Sequence, residues 1–187
     1  MNSQLLMKEI LKTYNQQKAD RGLLMEEFRE LLMLFPIIEV LRADGQMDMF
    51  EKHYFHDLVK KHHEENPHFN YYILKEEIAY VLENFAQVEP ILYEALKELN
   101  QNENLSNYLL DSMLTAARVS SDDLKTNLIY SEVPGWLKLP RTILAMFLTP
   151  DQEKTSISEE EKNQILTVLE KVDGVSERNL KVLNELS

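Results

Sequence analysis

The sequence predicts an all-α protein, a single helical domain of about eight or nine helices. Three observations lead there. Apolar residues recur at helical spacing along most of the chain, and no segment alternates with the two-residue period of a strand. Only four glycines and six prolines interrupt 187 residues, so turns are few and elements long. Leu, Glu, Lys and Met are frequent, a composition that favours helix.

The first helix is predicted over residues 3–18, where Leu5, Leu6, Ile10, Leu11 and Tyr14 form one stripe, and Asp20-Arg21-Gly22 breaks it. An apolar-rich helix follows over 23–43, with Pro36 expected to kink or split it. Asp44-Gly45 ends that segment, since glycine is common just past a helix. Asp48 then serves as an N-cap, and Glu51, three residues on, completes a capping box. The helix it opens, over 49–65, keeps Phe50, Tyr54, Phe55, Leu58 and Val59 on one face until Asn66-Pro67 stops it.

Helical periodicity resumes near Asn70 and runs to Asn100, with Pro90 marking a second start within it. Residues 105–119 are helical, capped by Asn102 or Asn104, and a shorter helix runs from Ser120 to Tyr130. The connector 131–140 holds two prolines, a glycine and the sole tryptophan, Trp136, read as a lid over the helical core. An apolar helix over 141–148 and a polar linker over 149–156 follow. Ser158 and Glu161 make a second capping box for a helix to Lys171, which Val172-Asp173-Gly174 ends, and Ser176 caps a last helix to Leu186. Residues 1–148 thus form the helical domain. Residues 149–187 form a linker and a C-terminal helical hairpin packed on it.

Charge narrows the function. The chain carries 32 acidic and 20 basic residues, a formal net charge of -12. Binding to a nucleic-acid backbone needs a basic surface, so no nucleic-acid partner is expected. With no cysteine, disulfides, thiolate metal sites and cysteine catalysis are excluded, and a cytoplasmic location is expected. The longest apolar runs are too short to cross a bilayer, so any membrane association is expected to be peripheral, through a partner. There is no Gly-x-Ser-x-Gly elbow, phosphate-cradling glycine loop or dinucleotide fingerprint, and a non-enzymatic role is expected.

The segment Ala43-Asp44-Gly45-Gln46-Met47-Asp48-Met49-Phe50-Glu51 concentrates the chemistry. Hard cations such as Ca²⁺ or Mg²⁺ take several oxygen ligands where the backbone turns sharply, which makes Asp44, Asp48 and Glu51 a candidate site. The segment lines up with the second half of an EF-hand loop, but the first two ligand positions fall on Val40 and Arg42. The same residues also serve as a helix stop followed by a capping box.

Read as ADGQMDMFE, the segment resembles the keyed pattern of the tellurite-resistance TerB-like domains: Ala-Asp-Gly, a variable residue, an apolar one, Asp or Ser, two variable residues and Glu. The apolar helix before it and the amphipathic helix after it suit that family. The resemblance covers roughly residues 31–63. It implies an all-helical fold of paired helices and an acidic, cation-binding site at Asp44, Asp48 and Glu51. It also implies a place in metal- or chemical-stress systems, with protein partners. A second acidic cluster in the family's other half would fall at Asp122-Asp123 or Asp173.

All five histidines lie between residues 53 and 68. His53, His56 and Asp57 share one helix face by their i, i+3 and i+4 spacing, an arrangement that can grip Zn²⁺ or Ni²⁺ and equally describes a solvated face. His56-Asp57 invites comparison with the all-helical HD-type phosphohydrolases, which need an earlier histidine on a separate helix. This chain has none before His53. A metal-dependent hydrolase on this face, or a metal-free helical adaptor, are the alternatives to a TerB-like cation- or partner-binding protein.

Overall fold

The structure is a computed structural model that describes residues 3–18, 21–43, 55–57, 59–60, 70–120 and 157–185, with 118–120 described in backbone only. The described residues contain seven helices: α1 (Ser3–Asn15), α2 (Met25–Leu41), α3 (Tyr71–Glu83), α4 (Phe85–Glu103), α5 (Ser106–Ser120), α6 (Glu159–Lys171) and α7 (Glu177–Glu185). Residues 55–57 and 59–60 are helical as well, and the described residues include no strand. The all-α fold class is therefore that of the structure.

The hub is α2. Twelve of its seventeen residues are buried, and from Leu34 to Leu41 every residue is. A helix apolar all round belongs in the centre of a domain rather than on its face. It packs on α5 and α6, on α3 and α4, and on α1. Pro36 lies in this buried stretch, and the helix continues through it. Its missing N–H leaves the Leu32 carbonyl without the usual donor, a defect that costs about 3 kcal/mol in an unsupported helix. Neighbours on every side hold the segment in line.

Local chemistry sets the boundaries. The α1–α2 connection is held by Asn15, whose Nδ2 donates to the Leu23 carbonyl (3.0 Å) while its Oδ1 accepts from the Leu23 amide (2.8 Å). A Cβ at Gly22 would lie 2.7 Å from Asn15 Cγ, so this arrangement requires glycine there. The helical run from Asn70 breaks at Asn84 and not at Pro90, which sits exposed inside α4. The Asn84 side chain and amide both donate to the Tyr80 carbonyl, at 3.0 and 2.9 Å, and its own carbonyl starts α4 by accepting from Gln87 and Val88. An asparagine that competes for backbone partners ends a helix more readily than a proline already turned outward.

Asn104 closes α4 in the left-handed region, at φ 53°, and so is a C-cap, where an N-cap for the next helix was expected. At the end of α6 the left-handed residue is Asp173 (φ 54°), and Gly174 follows by donating its amide to the Leu169 carbonyl at 2.7 Å. Glycine at 174 lets the turn lie close to Leu169, Val172 and Ser106.

The Ser158–Glu161 capping box launches α6: the Glu161 amide donates to Ser158 Oγ at 3.1 Å, and the Ser158 amide to Glu161 Oε2 at 2.8 Å. Ile165, Val168 and Leu169 make its buried face, which lies on α2 and α5. Asn100 locks the hairpin turn from α4. Its Nδ2 donates to the Val172 carbonyl at 2.9 Å, and its Oδ1 accepts from Ser106 Oγ at 3.2 Å.

Candidate functional site

The acidic segment follows the hub in sequence, and Arg42 and Ala43 begin the chain's exit from α2. After Leu41 the amides of Arg42 and Ala43 both turn back to the Val40 carbonyl, at 3.0 Å for Ala43. The Arg42 guanidinium lies 4.1 Å from the Phe85 ring centroid, a cation–π contact that ties this end of α2 to the start of α4. Asp44, Asp48, Glu51 and His53 lie outside the described residues, as do Asp122, Asp123 and Trp136. Asp173, the remaining acidic candidate, is engaged: its carboxylate pairs with Lys97 at 2.8 Å and accepts from Gln101 at 3.1 Å. Those two contacts hold its carboxyl below the usual carboxylate range.

One turn of helix before the acidic segment, Glu39 is buried in the core. Gln164 of α6 donates to its Oε2 at 2.7 Å, while its Oε1 and the facing Tyr93 hydroxyl make no well-aligned hydrogen bond. The Tyr93 ring meets Phe35 edge-on at 5.0 Å and carries the Lys171 ammonium 4.0 Å from its centroid. Lys171 also pairs with Glu89 at 2.8 Å. Burial raises the Glu39 carboxyl above its ordinary value, and only in part do Tyr93, Lys171 and Gln164 offset this. Sequence reasoning missed this group, although a lone carboxylate inside Ile37-Ile38-Glu39-Val40-Leu41 was its signal.

His56 and Asp57 are described, on the helical residues 55–57. His56 Nε2 shares a 2.6 Å hydrogen bond with the Tyr71 hydroxyl of α3, and the two rings meet edge-on at 6.0 Å. Burial, with Tyr72 and Asp57 nearby, raises the Tyr71 phenol, and the His56 tautomer sets which of the two groups donates. The other ring nitrogen, Nδ1, faces Asp57 Oδ1 at 3.6 Å. For His56 to ligate a metal through Nε2, it would have to give up Tyr71. Among the described residues, no group of three or more His, Asp or Glu side chains is placed to hold a metal ion.

Beside this pair a recess of about 170 Å³ opens between the helical residues 55–57 and 59–60 and helix α3. Its walls are Phe55, Val59, Ile78, Ala79 and Leu82. His56, Tyr71 and Lys75 complete the lining, and Lys75 is exposed. No described helix is long and apolar enough to cross a membrane.

No protein-family model matches the chain, and neither a curated protein nor a solved structure matches it.

Proposed function

We propose that this chain is a non-enzymatic TerB-like protein of a stress or metal-response system. It takes a divalent cation, Ca²⁺ or Mg²⁺, or a partner protein, through the acidic turn of Asp44, Asp48 and Glu51. The observation that supports this most is the position of that turn in the chain. It follows directly on a helix buried all round from Leu34 to Leu41.

The last carbonyls of a helix carry a partial negative charge that adds to nearby carboxylates and favours a cation. A cation there neutralises clustered acids and fixes the path of the chain out of α2. Because α2 packs on α1, α3, α4, α5 and α6, that restraint acts on the hub of the domain. The hydrolase alternative on His53, His56 and Asp57 has less support, since His56 Nε2 is already bonded to Tyr71.

Thermal unfolding of the metal-free protein, titrated with Ca²⁺, Mg²⁺, Mn²⁺ and Zn²⁺, tests the reading. A cation that binds only the folded state stabilises it by about 2.7 kcal/mol at a hundredfold excess over Kd. The expected result is a rise in Tm with a hard cation that disappears in the Asp44→Ala/Glu51→Ala double variant. A shift that persists in that variant would move the cation elsewhere. No shift with any of the four would leave the turn to capping and partner capture.

A further inference from the structure

We propose that the recess between Phe55, His56, Val59 and α3 binds a small organic carboxylate, an aryl or branched alkyl acid. Its apolar group would sit on Val59, Ile78, Ala79 and Leu82, and its carboxylate on Lys75. This site is separate from the acidic turn and does not depend on it.

Three features define the ligand. Size comes first: at about 170 Å³ the recess holds one apolar group. An enclosed apolar cavity of about 150 Å³ accepts benzene, which sets the size of group that this open recess can take. A docked partner helix, by contrast, sets several apolar anchors a turn apart into a continuous groove. The single recess therefore favours a free small molecule over a helical peptide.

The second feature is charge. In a chain of net charge -12, the ionisable side chains lining this recess among the described residues are His56, Tyr71 and Lys75, and none is a carboxylate. Asp57 is next in sequence, but its Oδ1 faces His56 Nδ1. The third is commitment. His56 and Tyr71 bond to each other across the wall, which fixes both rings. Lys75 is left to meet a head group at the open side, where both it and Ala79 are exposed. A single ammonium on a flexible stem suits a carboxylate, whereas a phosphate is usually gripped by several donors.

The test is an NMR titration of the full chain with hydrocinnamate, with hydrocinnamamide and propionate as controls. Hydrocinnamate should give saturable methyl shifts confined to Val59, Ile78, Ala79 and Leu82, and propionate should give none. Lys75→Gln should weaken hydrocinnamate about threefold or more, the scale of one exposed ion pair, and leave the amide unchanged. Ala79→Phe, which fills the recess, should abolish binding of both. The proposal is overturned if no saturable shift appears by about 10 mM, well below the affinity of a specific small-molecule site. It is also overturned if the shifts map elsewhere, or if the amide binds wild type as tightly as the acid. Should Ala79→Phe fail to fold, Lys75→Gln and the amide control still decide.

Discussion

The Tyr14 hydroxyl donates to Glu77 Oε1 at 2.6 Å, joining α1 to α3 across 63 residues of chain. Both residues are buried, and Lys18 pairs with the other carboxylate oxygen. Burial and the adjoining carboxylate push the Tyr14 phenol far up, so it remains a donor at any ordinary pH. Lys18 also lies 5.3 Å from the Tyr80 ring centroid, and the Tyr80 hydroxyl donates to the Gln17 carbonyl at 2.9 Å. The end of α1 is thus held to α3 by one buried carboxylate with two partners.

Removing one partner exposes the asymmetry of such a pair. Tyr14→Phe keeps the ring and leaves Glu77 Oε1 buried without a donor. The expected loss is about 1–3 kcal/mol in urea unfolding, the penalty for an unsatisfied buried acceptor. Replacing both partners together, Tyr14→Phe with Glu77→Leu, should cost less than the sum of the single changes. Additive losses would mean the bond carries no net coupling.

Glu39 gives a pH dependence. Its folded value is raised by burial, so the folded state prefers the neutral acid. The contribution is complete below the unfolded value and is lost as pH rises through the folded one. Above that, an ionised carboxylate sits in the core, facing Tyr93 and Glu89 with Lys171 as the nearby cation. Glu39→Gln keeps an acceptor for Gln164 and adds a donor for the Tyr93 hydroxyl. The variant should be more stable than wild type by about 1 kcal/mol at neutral pH, because it buries no charge there. The gain should shrink as the solution is acidified. A gain independent of pH would show that Glu39 does not titrate between the folded and unfolded states.

Asn100 holds the C-terminal hairpin. It is 5% exposed and bonds the Val172 carbonyl and the Ser106 hydroxyl at once. Asn100→Leu leaves that carbonyl buried without its donor, at a cost of about 1–3 kcal/mol. Hydrogen exchange should localise the effect, with amides of α6 and α7 losing protection while those of α1 and α3 keep theirs. Uniform loss across all helices would mean that the hairpin and the rest open as one unit.

Elements with a strong apolar stripe were legible from sequence because the stripe is the buried face. Helix α6 begins at Glu159 after Ser158 and ends at Lys171, as its capping box and its Val172-Asp173-Gly174 stop imply. Two of the misplaced boundaries were decided by asparagine, at 84 and 104, where a side-chain amide or a left-handed backbone outweighed periodicity. The buried carboxylates were hidden for another reason. Glu77 and Glu39 are bonded by Tyr14 and Gln164, 63 and 125 residues away, and no local pattern encodes such a partner. His56 illustrates the same limit: its spacing suggested a metal face, but Tyr71, fifteen residues on, takes its Nε2. The acidic segment ADGQMDMFE is plain in the sequence, and its Asp44, Asp48 and Glu51 lie outside the described residues.

Asn104 allows a prediction in which the sign separates two causes. Its φ of 53° is left-handed, and its amide donates to the Asn100 carbonyl at 2.8 Å to close α4. For an L-residue this backbone costs about 1–2 kcal/mol, which asparagine bears better than most and glycine avoids. Asn104→Ala should therefore destabilise the protein by about 1 kcal/mol. Asn104→Gly keeps the backbone bond and should be neutral to mildly stabilising, because the relief of strain opposes the added freedom of the unfolded chain. Both follow from the midpoints of urea unfolding curves of equal slope. If glycine proved as damaging as alanine, the asparagine side chain, rather than its backbone conformation, would be what holds the end of α4.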